Sequence, residues 1–103
     1  MKYALCKGRH TFPKDCVGYI FPHHVDPTDL KRLNKEIENR FQKVPYRLDV
    51  YVTGLTVALV TVINYCYKHN VWLVLWHYNS DTGGYYPQSV LTERGQEVST
   101  AHT

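Results

Sequence analysis

No apolar run in this 103-residue chain is long enough, or free enough of threonine and asparagine, to cross a bilayer, so no membrane-spanning helix is expected. Blocks of lysine or arginine are missing as well. Twelve basic and nine acidic side chains leave a formal charge of only +3, spread along the chain, which suits a small anion better than a long nucleic-acid backbone. Cysteine is scarce: Cys6, Cys16 and Cys66 make an odd number without a CxxC pair, which favours free thiols and a reducing, cytoplasmic setting. No apolar signal region follows Met1, so a secretion segment is not expected. There are no internal repeats.

What the chain has in excess is aromatic side chains, with nine tyrosines and two tryptophans. Aromatics serve cores and also the stacking of bases, and their number alone does not separate the two uses. At this length one domain with a modest core is expected over 1–91, followed by a polar tail over 92–103.

The chain is organised around residues 48–76. Period-two alternation over 48–53 predicts a strand, Gly54 punctuates it, and a β-branched and aromatic run from Val71 predicts a second strand. The intervening segment holds Val57, Val60, Thr61, Val62 and Ile63, whose branched side chains lower helix propensity. A helix is still expected, because Thr56 can cap its start, Lys68, His69 and Asn70 suit its end, and one strand over 48–76 would be far too long. The result is a βαβ unit with parallel strands. The helix has only a narrow polar stripe of Thr61, Asn64 and Lys68, so it reads as buried nearly all round, and a second subunit is expected to cover it.

Around this unit, 2–7 and 17–21 read as strands, and Asp26-Pro27-Thr28-Asp29 opens a surface helix, with Asp26 or Thr28 at the cap, that runs to about Phe41. Leu30, Leu33, Ile37 and Phe41 form the apolar stripe of that helix. Residues 71–78 should be a central strand, 79–84 a hairpin loop, and 85–90 an edge strand marked by Pro87. The expected fold is α/β, a small mixed sheet of about five strands built on the βαβ unit, with two helices.

If the first strand runs parallel to the central pair, three strand ends converge. They bring together Lys7, Gly8, Arg9 and His10, then Thr53, Gly54, Leu55 and Thr56, then His77, Tyr78 and Asn79. A helix N-terminus offers free N–H groups to phosphate, Gly54 lets a ligand approach the backbone, and Arg9 can clamp phosphate in bidentate fashion. Tyr78 is the better stacking candidate, since Trp72 and Trp76 read as core or subunit interface. Each part also has a plainer explanation: the glycine serves a tight turn, and loop arginines are commonly solvated. The candidate ligand-binding residues are therefore Lys7, Arg9, His10, Thr53, Gly54, Thr56, His77, Tyr78 and Asn79. His23, His24 and Asp26, like Cys6, His10 and Cys16, do not match a zinc spacing, so neither a metal nor another cofactor is expected. No catalytic constellation is assigned; Lys7, His10 and His77 are the only proton-transfer candidates near these turns.

The segments YVTGLTVALVTVINYC and VWLVLWHYNSDTGGYYPQ resemble those of the small phage proteins that defeat Thoeris immunity by soaking up its cyclic ADP-ribose signal. The layout is also similar to that of small CRISPR-associated ring nucleases. The resemblance spans roughly residues 48–90. It implies a cytoplasmic homo-oligomer built from dimers, a hexamer being one such assembly, that holds a cyclic nucleotide between subunits without cleaving it. By residue type, Tyr78, Asn79 and Arg9 would serve as the aromatic, amide and guanidinium of such a pocket, with Arg47 and Arg94 as substitutes. The ring-nuclease likeness implies instead a metal-independent phosphodiesterase, and a third class, a protein-binding inhibitor or adaptor, would use Tyr51, Tyr85 and Tyr86.

Overall fold

A computed structural model describes residues 2–6, 12–22, 26–53 and 55–91. Residues 1, 7–11, 23–25, 54 and 92–103 lie outside the described residues, among them the expected turn at Gly8-Arg9-His10, the His23-His24 pair and the expected polar tail. The chain runs β1 (Lys2–Ala4), β2 (Cys16–Tyr19), α1 (Leu30–Arg40), β3 (Arg47–Tyr51), α2 (Thr56–His69), β4 (Trp72–Asn79) and β5 (Gly84–Leu91). The five strands form one mixed sheet in the order β2-β1-β3-β4-β5. β1, β2, β3 and β4 pair in parallel, and β5 closes one edge antiparallel to β4. The expected small α/β sheet with two helices is thus what the chain forms, with the βαβ unit at its centre.

The differences are local. β1 is shorter than the expected 2–7, and β2 starts one residue early and stops at Tyr19. The start of α1 is set by Asp29, whose carboxylate accepts from the Arg32 N–H at 3.1 Å. Asp26 instead folds a turn onto the Thr28 N–H and hydroxyl, one turn earlier than the cap. Leu30 therefore sits at the exposed helix entry, 55% accessible, while Leu33, Ile37 and Phe41 carry the buried stripe.

In α2 the β-branched run does fold as helix, because tertiary burial of Ala58, Thr61, Val62, Tyr65 and Cys66 outweighs the small propensity penalty. Thr56 is its first helical residue, not its cap. Leu55 holds the cap position without a side-chain hydrogen bond, and Asn70 ends the helix in the left-handed conformation at φ 58°. Thr61 is buried and returns its hydroxyl to the Val57 carbonyl at 2.8 Å, so it does not belong to the polar stripe. The exposed side instead shows Val60, Asn64, Tyr67 and Lys68, so the helix is not apolar and buried all round: it has one buried face and one mixed, open one.

Both helices lie on the same face of the sheet. Phe41 at the end of α1 stacks edge-on against Tyr3 of β1 and also meets Tyr65 of α2, and the core joins Leu33 and Ile37 to Leu48, Val50, Leu73 and Leu75. Strand alternation turns Lys2, Asp49, Tyr51, Trp72, Val74, Trp76 and Tyr78 to the other face, in the registers Lys2 to Asp49 and Tyr51 to Trp76. No described helix covers that face, yet Asp49, Tyr51 and Val74 are buried on it. Long side chains laid across the sheet do the covering.

Candidate functional site

The parallel pairing brings the ends of β1, β3 and β4 to one edge. Cys6 Sγ and Thr53 Oγ1 stand 3.7 Å apart there, and the Val52 N–H reaches the Trp76 carbonyl at 2.9 Å. Lys7, Arg9, His10 and Gly54 lie outside the described residues. The remaining candidates separate. Thr53 meets Cys6, and Thr56 is exposed at the start of α2. Asn79 turns its side-chain carbonyl onto the Asp81 N–H at 2.9 Å and its backbone carbonyl onto the Gly83 N–H, so it shapes the hairpin. His77 points to the helix-bearing face, where its ring meets Gln88 at 2.8 Å and Tyr86. Tyr78, one residue on, points the opposite way.

Tyr78 enters a concavity of about 660 Å³ on the helix-free face, together with Lys2, Phe12, Tyr51, Trp76 and Tyr85. That volume is in the range of small-molecule sites, roughly 300–1,000 Å³. The walls are rings held by other rings: Tyr51 lies 4.7 Å from Tyr85, 5.7 Å from Phe12 and 6.5 Å from Trp76, and Tyr78 lies 5.4 Å from Tyr85. The Gly83-Gly84 pair forms the rim, and Gly83, at φ 74°, holds a backbone shape that favours glycine. Over the Trp76 ring sits the Lys2 ammonium, 3.8 Å from the centroid, and it also reaches Asp15 at 3.0 Å.

The floor is fixed from beside the concavity. Asp49, 5% exposed, accepts from Arg47 through two N–H groups at 2.7 and 3.0 Å and from the Trp76 indole N–H at 2.9 Å. The Arg47 guanidinium lies 4.4 Å over Trp72, and the Trp72 indole N–H donates to Ser89. Each tryptophan on this face thus has a cation above it and a hydrogen bond fixing its ring. The Asp49 hydrogen bonds raise the Arg47 pKa further, so the guanidinium stays charged.

Across from this, the Tyr51 hydroxyl donates to Asp15. Burial, then that bond, pushes the Tyr51 pKa well above the ordinary tyrosine range, and burial raises Tyr85 likewise. The hydrogen bonds from Tyr51 and Lys2 hold Asp15 below the usual carboxylate value. At neutral pH the site therefore offers aromatic faces, neutral hydroxyls and two compensated ion pairs, Lys2 with Asp15 and Arg47 with Asp49. This set can stack a planar ring and hydrogen-bond its edge. Among the described residues no group of three His, Cys, Asp or Glu side chains gathers as a metal site.

Sequence reasoning did not name Lys2, Phe12 or Asp15, set Trp76 aside as core or subunit interface, and placed Tyr51 and Tyr85 only on a protein-contact surface. Part of the signal was present, since period two puts Trp72, Trp76 and Tyr78 on one face of β4, and the parallel register adds Tyr51 to it. Phe12 and Asp15 come from a connection between strands, where no periodicity marks them. The chain matches no family model, no curated protein and no solved structure.

Proposed function

We propose that this protein is a non-enzymatic binding protein that sequesters a base-containing small molecule, a cyclic nucleotide immune signal of the cyclic ADP-ribose or cyclic oligonucleotide class. The observation that carries the reading is the ring-walled concavity on the face that no described helix covers, lined by Trp76, Tyr78 and Tyr85 together with Lys2, whose ammonium stands over Trp76. Aromatic walls stack bases regardless of sequence, at about 1–3 kcal/mol per base, and the ammonium answers the phosphate. Lys7, Arg9, His10 and Gly54, which lie outside the described residues, stay in the proposal as the phosphate-binding candidates of the sequence.

Binding without cleavage is favoured by the chemistry of the walls. The raised Tyr51 and Tyr85 hydroxyls are poor bases, and His77, the described proton-transfer candidate, faces away with Gln88. A homo-oligomer remains part of the proposal on the strength of the open face of α2, where Val60 is 47% and Tyr67 68% exposed. Three free thiols agree with a reducing cytoplasm.

The test is retention. The purified protein is incubated with cyclic ADP-ribose isomers and cyclic di- and trinucleotides, passed through a desalting column, heated, and the released material weighed by mass spectrometry. An intact ligand is expected, with affinity falling by about 1–3 kcal/mol in Tyr78→Ala. Linear products would make the protein a phosphodiesterase, and an empty supernatant would end the nucleotide reading.

A further inference from the structure

The best stacking surface of the concavity is already occupied by the chain itself. The Lys2 ammonium stands 3.8 Å from the Trp76 ring centroid and 5.8 Å from that of Tyr51. A ring stacked on Trp76 would have its centroid at about 4.5 Å or slightly beyond, in the same space. Trp76 cannot turn away to make room, because its indole N–H is tied to the buried Asp49. The group that can move is Lys2. It is a flexible side chain, 26% exposed, and its acidic partner Asp15 is 51% exposed and has a second donor in Tyr51.

We propose that Lys2 is the selectivity gate of this concavity, closing the Trp76 face to uncharged rings and yielding it to rings that carry phosphate. The proposal rests on the nucleotide-binding reading above. An uncharged nucleoside must displace the ammonium from both the indole and Asp15 and offers it nothing in return. A phosphate-bearing ligand supplies oxygens to which the same ammonium swings, so one ion pair replaces another while the base takes over the indole face. Asp15 keeps the Tyr51 hydroxyl and turns to water. The gate thus selects charge at a surface whose aromatic walls alone would accept any planar ring.

Calorimetric titration of the full chain with adenosine and with adenosine 5′-monophosphate tests this. The wild type should favour the monophosphate by about tenfold or more, the worth of a charged hydrogen bond. Lys2→Met keeps the stem over the sheet and removes the charge. It should bring the two affinities together, with adenosine tightening by about 3- to 10-fold as the cation no longer competes for the indole. Asp15→Asn alters an exposed residue and leaves the ammonium without its anchor, so the monophosphate should bind about threefold tighter than to the wild type. A Lys2→Met protein that keeps the wild-type preference would overturn the gate and leave the nucleotide reading intact. If none of the three proteins takes up either probe, the gate is refuted; an empty result from the cyclic nucleotide panel as well would refute both proposals.

Discussion

Removing Arg47 should destabilise the protein more than removing the carboxylate it binds, although the two share the same hydrogen bonds. Arg47 has a side chain 41% exposed, while that of Asp49 is 6% exposed. In Arg47→Ala the carboxylate stays where it is, under Trp76, with the indole N–H at 2.9 Å as its remaining side-chain donor. Breaking a buried pair in this way costs about 3–5 kcal/mol, and the lower end applies here because the departing guanidinium opens a path for water. Trp72 also loses its 4.4 Å cation cover.

In Asp49→Ala the arginine simply turns outward and is rehydrated. What is lost is a set of charge-assisted hydrogen bonds, about 1.5–3 kcal/mol, and the Trp76 N–H loses its acceptor in a half-buried position. Arg47→Ala should therefore cost more by up to about 1.5 kcal/mol, and for a domain of this size each kcal/mol moves Tm by about 4–8 °C. Urea unfolding followed by tryptophan fluorescence and circular dichroism reads both quantities, with an unchanged denaturant slope as the check that the same surface unfolds. The double variant should cost less than the sum of the singles by about 1–3 kcal/mol. Equal losses, or a greater loss in Asp49→Ala, would refute the asymmetry, and strict additivity would refute the pairing.

Two further outcomes follow from the helical side. Glu38 bridges α1 to α2 through His69 at 2.9 Å and Lys68 at 3.3 Å, and the His69 hydrogen bond, opposed by partial burial and aided by Lys68, holds its pKa below the ordinary 4.5. Its contribution is complete above the unfolded value and disappears as pH falls through the folded one, so urea midpoints should drop below about pH 4.5, and Glu38→Gln should flatten that drop by a few tenths of a kcal/mol, about what a solvent-screened pair is worth. Cys66 is fully buried in the core, and burial pushes its thiol up to about 12, so a disulfide exchange reagent should titrate at most Cys6 and Cys16 in the native protein and reach Cys66 only in denaturant. Rapid labelling of Cys66 under native conditions would contradict its place in the core.

Periodicity was enough to find the architecture because burial imposes it. Leu48 and Val50 alternate with Asp49 and Tyr51, Leu33 and Ile37 stand four apart, and Pro87 falls on an edge strand that can spare its N–H. The boundaries were less legible, since Asp26, Thr28 and Asp29 are all good caps and only the path of the chain decides that Asp29 is the one used. The concavity was the least legible part. Its members come from β1, a connecting loop, β3, β4 and β5, and proximity across that span is a property of sheet order, which period two does not encode. The polarity of Asp49 worked against recognition too. A carboxylate in a strand reads as solvent-facing, and it is buried here because Arg47 and Trp76 together satisfy it.

That buried carboxylate links the fold to the site. Both helices lie on one face of the sheet, and among the described residues its other face is covered by side chains alone. The Lys2 ammonium and the Arg47 guanidinium lie over the two tryptophans, and these charges find partners close to the sheet in Asp15 and Asp49. Asp49 in turn fixes the Trp76 indole, so the stacking surface is set in place by the same ion pair that closes the neighbouring patch. Covering a sheet this way leaves gaps wherever side chains stop, and one such gap lies between Phe12, Tyr51 and the Gly83-Gly84 rim. Trp76, tied to Asp49, thus lies beside the Lys2 ammonium on the face that no described helix covers. Asp49→Ala should accordingly weaken any ligand stacked on Trp76, although Asp49 itself does not line the concavity.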